Sequence, residues 1–260
     1  MIVPILWKTQ GSIGVALIDR PERRNALDAA LCDELRDCLI KNPDLGAVVI
    51  GSTGDRSFCA GADLGQRSQD VGGLEPGGGD TFRPAFEALL DEIVTYPTPV
   101  IAAINGTALG AGMQLAVACD LRVVSDNAVF GIPAARLGVV ISAANTQRLM
   151  RVVGSAAARD ILLTARTLNI DEAERCGLVQ RRASNALEAA TALAVEVAAL
   201  APLSVRSNKY AIGIIESTNQ LDPKAIAALK ERETEAFSSE DLREGLAAFS
   251  EKRVPKFRGF

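Results

Sequence analysis

Histidine is absent from all 260 residues. Without imidazole the chain lacks the commonest general base, the Ser-His and Cys-His nucleophile pairs, and most routes to a zinc site. Aromatic residues make up only 4% of the sequence, which is thin material for the stacking platforms that grip single-stranded nucleic acids. Basic charge is short as well: 28 Lys and Arg against 32 Asp and Glu leave a net charge of -4. No basic field exists to draw nucleic acid or anionic lipid across the whole surface. The cysteines Cys32, Cys38, Cys59, Cys119 and Cys176 form no CxxC pair, a pattern that suits reduced thiols in a cytoplasmic protein. Their simplest use is as small buried apolar residues.

Long apolar runs are equally scarce. The charge-free stretch 93–119 has the length of a membrane span, but Pro97, Pro99, Asn105, Gly106, Gly110, Gly112 and Gln114 interrupt it. A buried strand, a turn and a helix explain it better, so no membrane insertion is expected. The opening MIVPILWKTQ has no basic residue ahead of its apolar part, and no secretory leader is read from it.

What remains is an ordinary globular composition, 48% hydrophobic and 23% charged, long enough to bury one full core. IGVALI (Ile13–Ile18) and AVVI (47–50) are short and β-branched, and read as strands. Between them, Asp28 stands where a helix cap belongs, with Leu31, Leu35 and Leu39 on one face of the following helix. The glycines of 65–80 predict a loop. Its GGGD is not a phosphate-binding P-loop, because no Lys-Ser/Thr pair follows. Beyond it the pattern predicts a helix over Phe82–Thr95, a buried strand over 99–104, a helix over 110–118 and a strand over Leu121–Val124. Strands alternating with helices imply βαβ units and a mainly parallel sheet. From about residue 145 onward the pattern is helical, over 156–164, 186–200, 204–217, 223–237 and 240–250. A soft boundary near residue 200 separates a core, 1–200, from a C-terminal helical region, 201–260, within one domain.

Two glycine-containing turns carry the chemistry: Cys59-Ala60-Gly61-Ala62-Asp63 and 106–112, GTALGAG. Each follows an apolar strand, and the second opens a helix, whose first N–H groups are unpaired and carry partial positive charge. Two such donors converging on one oxygen would make an oxyanion hole. The same glycines also suit plain strand-to-helix turns. A dinucleotide fingerprint fails on spacing, since Leu115 stands where its third glycine belongs, and no GxSxG elbow is present.

Taken together and in order, RPERRNAL (20–27), FCAGADL (58–64), INGTALGAGMQLAVACDLRV (104–123), FGIPAARLG (130–138), TQRLMRVVG (146–154) and EKRVPKF (251–257) resemble the crotonase (enoyl-CoA hydratase/isomerase) family. The likeness spans nearly the whole chain. It implies an α/β fold with a ββα spiral core and a C-terminal helical region used for trimer packing, often as a dimer of trimers. It also implies acyl-coenzyme A thioesters as ligands, with no metal or further cofactor. By matched position, the backbone N–H groups of Ala62 and Ala111 would receive the thioester carbonyl. Ala111 replaces the family's usual glycine but keeps the N–H. Arg23 or Arg24 would approach coenzyme A phosphates, although both also fit a solvated charge cluster. Ala60, Asp63 and Leu64 fall in the segment lining the pantetheine and adenine, where Asp63 could equally brace its own turn. Phe249 and Lys252 match tail positions that reach a neighbouring subunit's coenzyme A, or are ordinary surface groups.

The departures lie at the reacting centre. Hydratases of this family use two glutamates, and their positions match Gln114 and Ala134 here. Glutamine can orient a water but exchanges no proton near neutral pH, and alanine does neither. The isomerases' glutamate also falls at Ala134. Some relatives place an aspartate at the Ser142 position, where serine is a feeble base or a helix cap. Asp80 or Glu87 could supply a carboxylate from the glycine-rich loop. The sequence therefore predicts an acyl-CoA binding protein with little or no hydratase turnover. The alternative is an active relative using other acid/base groups. A structural or RNA-binding role has the least support.

Overall fold

Alternate residues of three central strands point to opposite sides of one sheet, and this sorts the core into two layers. In the computed structural model, which describes residues 4–63, 81–217 and 222–260, the strands are β1 (Ile5–Gln10), β2 (Ile13–Ile18), β3 (Ala47–Ser52), β4 (Ser57–Cys59), β5 (Val100–Ile104), β6 (Thr107–Leu109), β7 (Leu121–Val124), β8 (Phe130–Gly131), β9 (Thr167–Leu168) and β10 (Arg181–Arg182). The helices are α1 (Ala29–Ile40), α2 (Phe82–Thr95), α3 (Ala111–Ala118), α4 (Ala143–Thr164), α5 (Ile170–Arg175), α6 (Ala186–Ala198), α7 (Pro202–Ser217), α8 (Pro223–Ser238) and α9 (Glu240–Glu251). Leu64, Asp80 and the glycine-rich 65–80 segment lie outside the described residues.

Strands β1-β2-β3-β5-β7-β10 form a six-stranded sheet in that order, parallel except for β1, which is antiparallel to β2. Val48, Ile50, Val100, Ala102 and Ile104 face the layer built by Leu31, Leu35 and Leu39 of α1 with Leu89, Leu90 and Ile93 of α2. Ala47, Val49, Ile101 and Ala103 face Ala190, Leu193 and Ala194 of α6. Each large side chain removed from water on these faces contributes about 1.5–3 kcal/mol. Asp28 caps α1 as its position suggests, accepting from the Leu31 amide at 2.9 Å.

A second, smaller sheet runs β4-β6-β8-β9. Its strands have two or three residues each, too short to show a period, and the sequence pattern does not predict them. Helix α4 starts at Ala143 rather than 156, because Ser142 caps it, and Gly154 (φ 77, ψ 160) separates two helical segments inside it. Helix α5 was also missing from the pattern, although Asn169 and Glu172 form a reciprocal capping box there.

Helices α7, α8 and α9 follow the soft boundary. Neither α7 nor α8 has a buried residue, and Ile212, Ile215, Ile226 and Phe237 are exposed. Lys209 ties α7 to the core, its Nζ donating to Asp120 Oδ2 at 2.7 Å and to the Thr98 carbonyl at 3.0 Å. Among the described residues no single helix is long and apolar enough to cross a membrane. The pair α6 and α7 passes such a test only jointly, bent by 111°, and α6 spends its apolar face on the sheet.

Candidate active site

The first turn is strapped in place by backbone. The Leu27 amide donates to Gly61 O at 2.9 Å, and the Asp63 amide to Leu27 O at 2.7 Å. Together they make a parallel bridge between Leu27 and Ala62. The Ala60 amide donates to Arg24 O at 3.0 Å. Asn25 holds the strap from within. It is 1% exposed, and its Nδ2 donates to Thr53 O and Ser57 O at 3.0 and 2.7 Å. Asp63 is buried between two guanidiniums, 3.2 Å from Arg20 Nη2 and 2.8 Å from Arg23 Nη1, and Arg20 also pairs with Asp28 at 2.8 Å. Asp63 thus ties its turn to both arginines.

The second turn ends β6 and opens α3. Gly110 has φ 54 and ψ -115, a conformation that side chains with a β-carbon rarely adopt. Its amide donates to Gly131 O at 2.8 Å. The two turns abut: a β-carbon added to Gly61 would lie 3.9 Å from the Ala111 nitrogen. Among the described residues neither the Ala62 nor the Ala111 amide donates to a backbone acceptor. For Ala111, the first residue of α3, this follows from helix geometry.

Both alanines line a cavity of about 500 Å³, together with Ala60, Gln114, Ala134 and Ser142. Five residues singled out in the sequence therefore meet around one space with Ser142. Gln114 lies one turn into α3, and its Nε2 donates to Gly110 O at 3.2 Å. Ala134 sits in the 3-10 turn Pro133–Leu137. Ser142 accepts the Asn145 amide at 3.3 Å, the bond of a helix cap. Leu137, Val139, Val140 and Ile141 make the other wall apolar.

Glu87 lines this cavity from α2. It belongs to a helix and not to the glycine-rich loop, which corrects the expectation that it would swing in from there. Asn145 Nδ2 donates to its Oε1 at 3.1 Å, and Arg148 Nη1 stands 3.9 Å from its Oε2. The local sequence gave no signal for these contacts, because Asn145 is 58 residues away.

The thiol nearest the turns is inert. Burial pushes Cys59 up to about 12, so it stays protonated near neutral pH and is no nucleophile. Cys119 is held at about 12 for the same reason, and all the cysteines are unpaired.

The remaining predicted residues lie elsewhere. Arg24 has a left-handed backbone (φ 52) and borders a separate cavity of about 240 Å³ with Asn25 and Arg56. Phe249 is 87% exposed, and Lys252 ends α9 with φ 54. Neither lines the acyl-sized cavity. Among the described residues no group of three or more His, Cys, Asp or Glu is placed to hold a metal.

An α/β core with two abutting strand-end turns over an apolar chamber describes a known class of proteins. The family model for enoyl-CoA hydratase/isomerase matches residues 8–259. The chain belongs to that family, and with it comes a general coenzyme A thioester function. It is 34% identical to a short-chain-enoyl-CoA hydratase of Clostridium acetobutylicum, over 98% of this chain and 97% of that protein. It is 37% identical to the mitochondrial enoyl-CoA hydratase domain-containing protein 2 of Mus musculus, over 94% of this chain and 83% of that one. A crystal structure of an enoyl-CoA hydratase/carnithine racemase from Magnetospirillum magneticum superposes with a TM-score of 0.91. That protein is 29% identical, and the match covers 100% of this chain and 97% of the other.

Proposed function

We propose that the protein binds acyl-CoA thioesters, with the carbonyl received by the Ala62 and Ala111 amides, and that it has little or no enoyl-CoA hydratase turnover. The observation that carries this reading is the pair Gln114 and Ala134 lining the same cavity as the two alanines. Neither side chain can take or give a proton near neutral pH. General acid-base help is worth about a hundred- to ten-thousandfold per group, so hydration without either group is slow.

The coenzyme A portion would run past Ala60 and Asp63 toward Arg23 and Arg24, and by family resemblance would also meet Leu64, which lies outside the described residues. Phe249 and Lys252 would serve a neighbouring subunit's ligand. The exposed apolar side chains of α7 and α8 support a homotrimer or a dimer of trimers. The thioester is the ligand, and the reading calls on no metal or other cofactor. A cytoplasmic location fits the unpaired thiols.

The test measures binding of acyl-CoAs of graded length beside hydration of crotonyl-CoA. Binding with negligible hydration is expected, and brisk hydration would sink the proposal. Glu87, a carboxylate on the same cavity wall, favours a second reading in which other proton chemistry is retained.

A further inference from the structure

Among the described residues lining the cavity, Glu87 is the only carboxylate. Its position is set by packing: Phe86, Leu89, Leu90 and Ile93 are the buried residues that anchor α2, and Phe86 lines the cavity beside it. Its side chain keeps 28% exposure, so the group reaches the cavity without being sealed off. Behind it lies a fixed support. Asn145, 4% exposed, donates to Oε1 at 3.1 Å and accepts from Arg148 Nη1 at 2.6 Å. Arg148 also engages Asp91, one turn further along α2. One carboxylate oxygen is thus tied to α4. The other, 3.9 Å from the guanidinium, keeps lone pairs for a proton.

We propose that Glu87 is a catalytic residue that removes and returns a proton at the α-carbon of a bound acyl thioester. The proposal rests on the thioester reading above. In the forward step the α C–H bond breaks and an O–H bond forms on Glu87. The freed electron pair makes the C1–C2 double bond, and the carbonyl electrons become an oxyanion held by the Ala62 and Ala111 amides. Return of the proton to C2 restores the starting thioester. With a 3-enoyl thioester, return to C4 leaves the double bond between C2 and C3. No water is added and no electrons leave the substrate, so one carboxylate suffices. Hydration differs, because one group must deprotonate water while another manages the α-carbon. Asn145 and Arg148 are positioning residues in this scheme.

Butyryl-CoA in deuterated water tests the step without any hydration chemistry. Deuterium gained at C2 is read by mass spectrometry, and binding is read by calorimetry on the same samples. Wild type is expected to bind and to exchange. Glu87→Gln preserves shape and still accepts from Asn145, and is expected to lose about a hundredfold or more in exchange with binding intact. Glu87→Asp should retain part of the rate. Asn145→Ala should lower the saturated rate while leaving the half-saturating concentration in place, a split that mere loss of fold would not give. Binding without exchange, or equal exchange in Glu87→Gln, overturns the role of Glu87 and leaves the thioester reading standing. Absence of binding to wild type overturns both.

Discussion

Gly112 packs directly against the backbone of Cys59: a β-carbon added there would lie 2.1 Å from the Cys59 carbonyl oxygen. This contact sets how closely β4 approaches α3, and hence how the Ala62 and Ala111 turns face one another. Gly112→Ala is therefore expected to destabilise the protein by about 1–3 kcal/mol, the usual cost of overpacking, and to weaken acyl-CoA binding together with the thermal midpoint. Gly213→Ala provides the contrast. Its β-carbon would meet nothing within 4 Å, and in the interior of α7 it should raise stability by about 0.5–1 kcal/mol. Equal effects of the two substitutions would contradict the packing argument.

Restoring carboxylates offers a gain-of-function test. Gln114→Glu combined with Ala134→Glu places two acids on the cavity wall. Crotonyl-CoA hydration should rise about a hundredfold or more over wild type, measured by loss of enoyl absorbance. No rise in the folded double variant would show that more than two groups separate this site from a hydratase.

The legibility of these parts in the sequence follows from the range of the forces involved. Helices α1 and α2 are readable because Asp28 caps the first and because Leu31, Leu35 and Leu39, then Phe86, Leu89, Leu90 and Ile93, recur at helical spacing. The central strands β2, β3, β5 and β7 of the large sheet are readable as short apolar runs, whereas its edge strands β1 and β10 are not predicted by the sequence pattern. The small sheet is not, since Phe130–Gly131 and Thr167–Leu168 are held by partners far along the chain and not by any local pattern. At the site, Ala62, Ala111, Gln114 and Ala134 were legible through turn chemistry and family resemblance. The setting of Glu87 was not, because only tertiary packing brings Asn145 and Arg148 to it.

Arg20 joins Asp28 and Asp63 with little solvent around any of the three. Removing the shared guanidinium takes the 2.8 Å ion pair from Asp28 and one of two guanidiniums from Asp63, which keeps Arg23. Arg20→Met should cost about 3 kcal/mol, the lower end of the range for breaking a buried pair, and loosen the 60–63 turn. Chemical denaturation with an acyl-CoA titration checks both. A stable variant with unchanged affinity would remove this cluster from the account.

Thiol chemistry gives a pH-linked test. Burial raises Cys59 and Cys119 to about 12, and it also raises Cys32 and Cys38. A raised value means that the reactive thiolate forms only at higher pH, so at pH 7–8 these thiols stay protonated. Native protein should react slowly with an aromatic disulfide reagent, chiefly at the half-buried Cys38 and Cys176. Denaturant should release all 5 cysteines. Rapid labelling of Cys59 in the native state would show that the turn opens.

Proline at position 111 isolates the amide itself. Ala111 is the first residue of α3, where proline is compatible with the helix and removes one N–H. The most direct measurement is the infrared carbonyl stretch of an acyl-CoA labelled with carbon-13 at the thioester, compared free, bound to wild type and bound to Ala111→Pro. Two amides drawing on the oxygen predict a shift to lower wavenumber on binding, reduced in the proline variant. A bound carbonyl vibrating as it does in water would contradict the account.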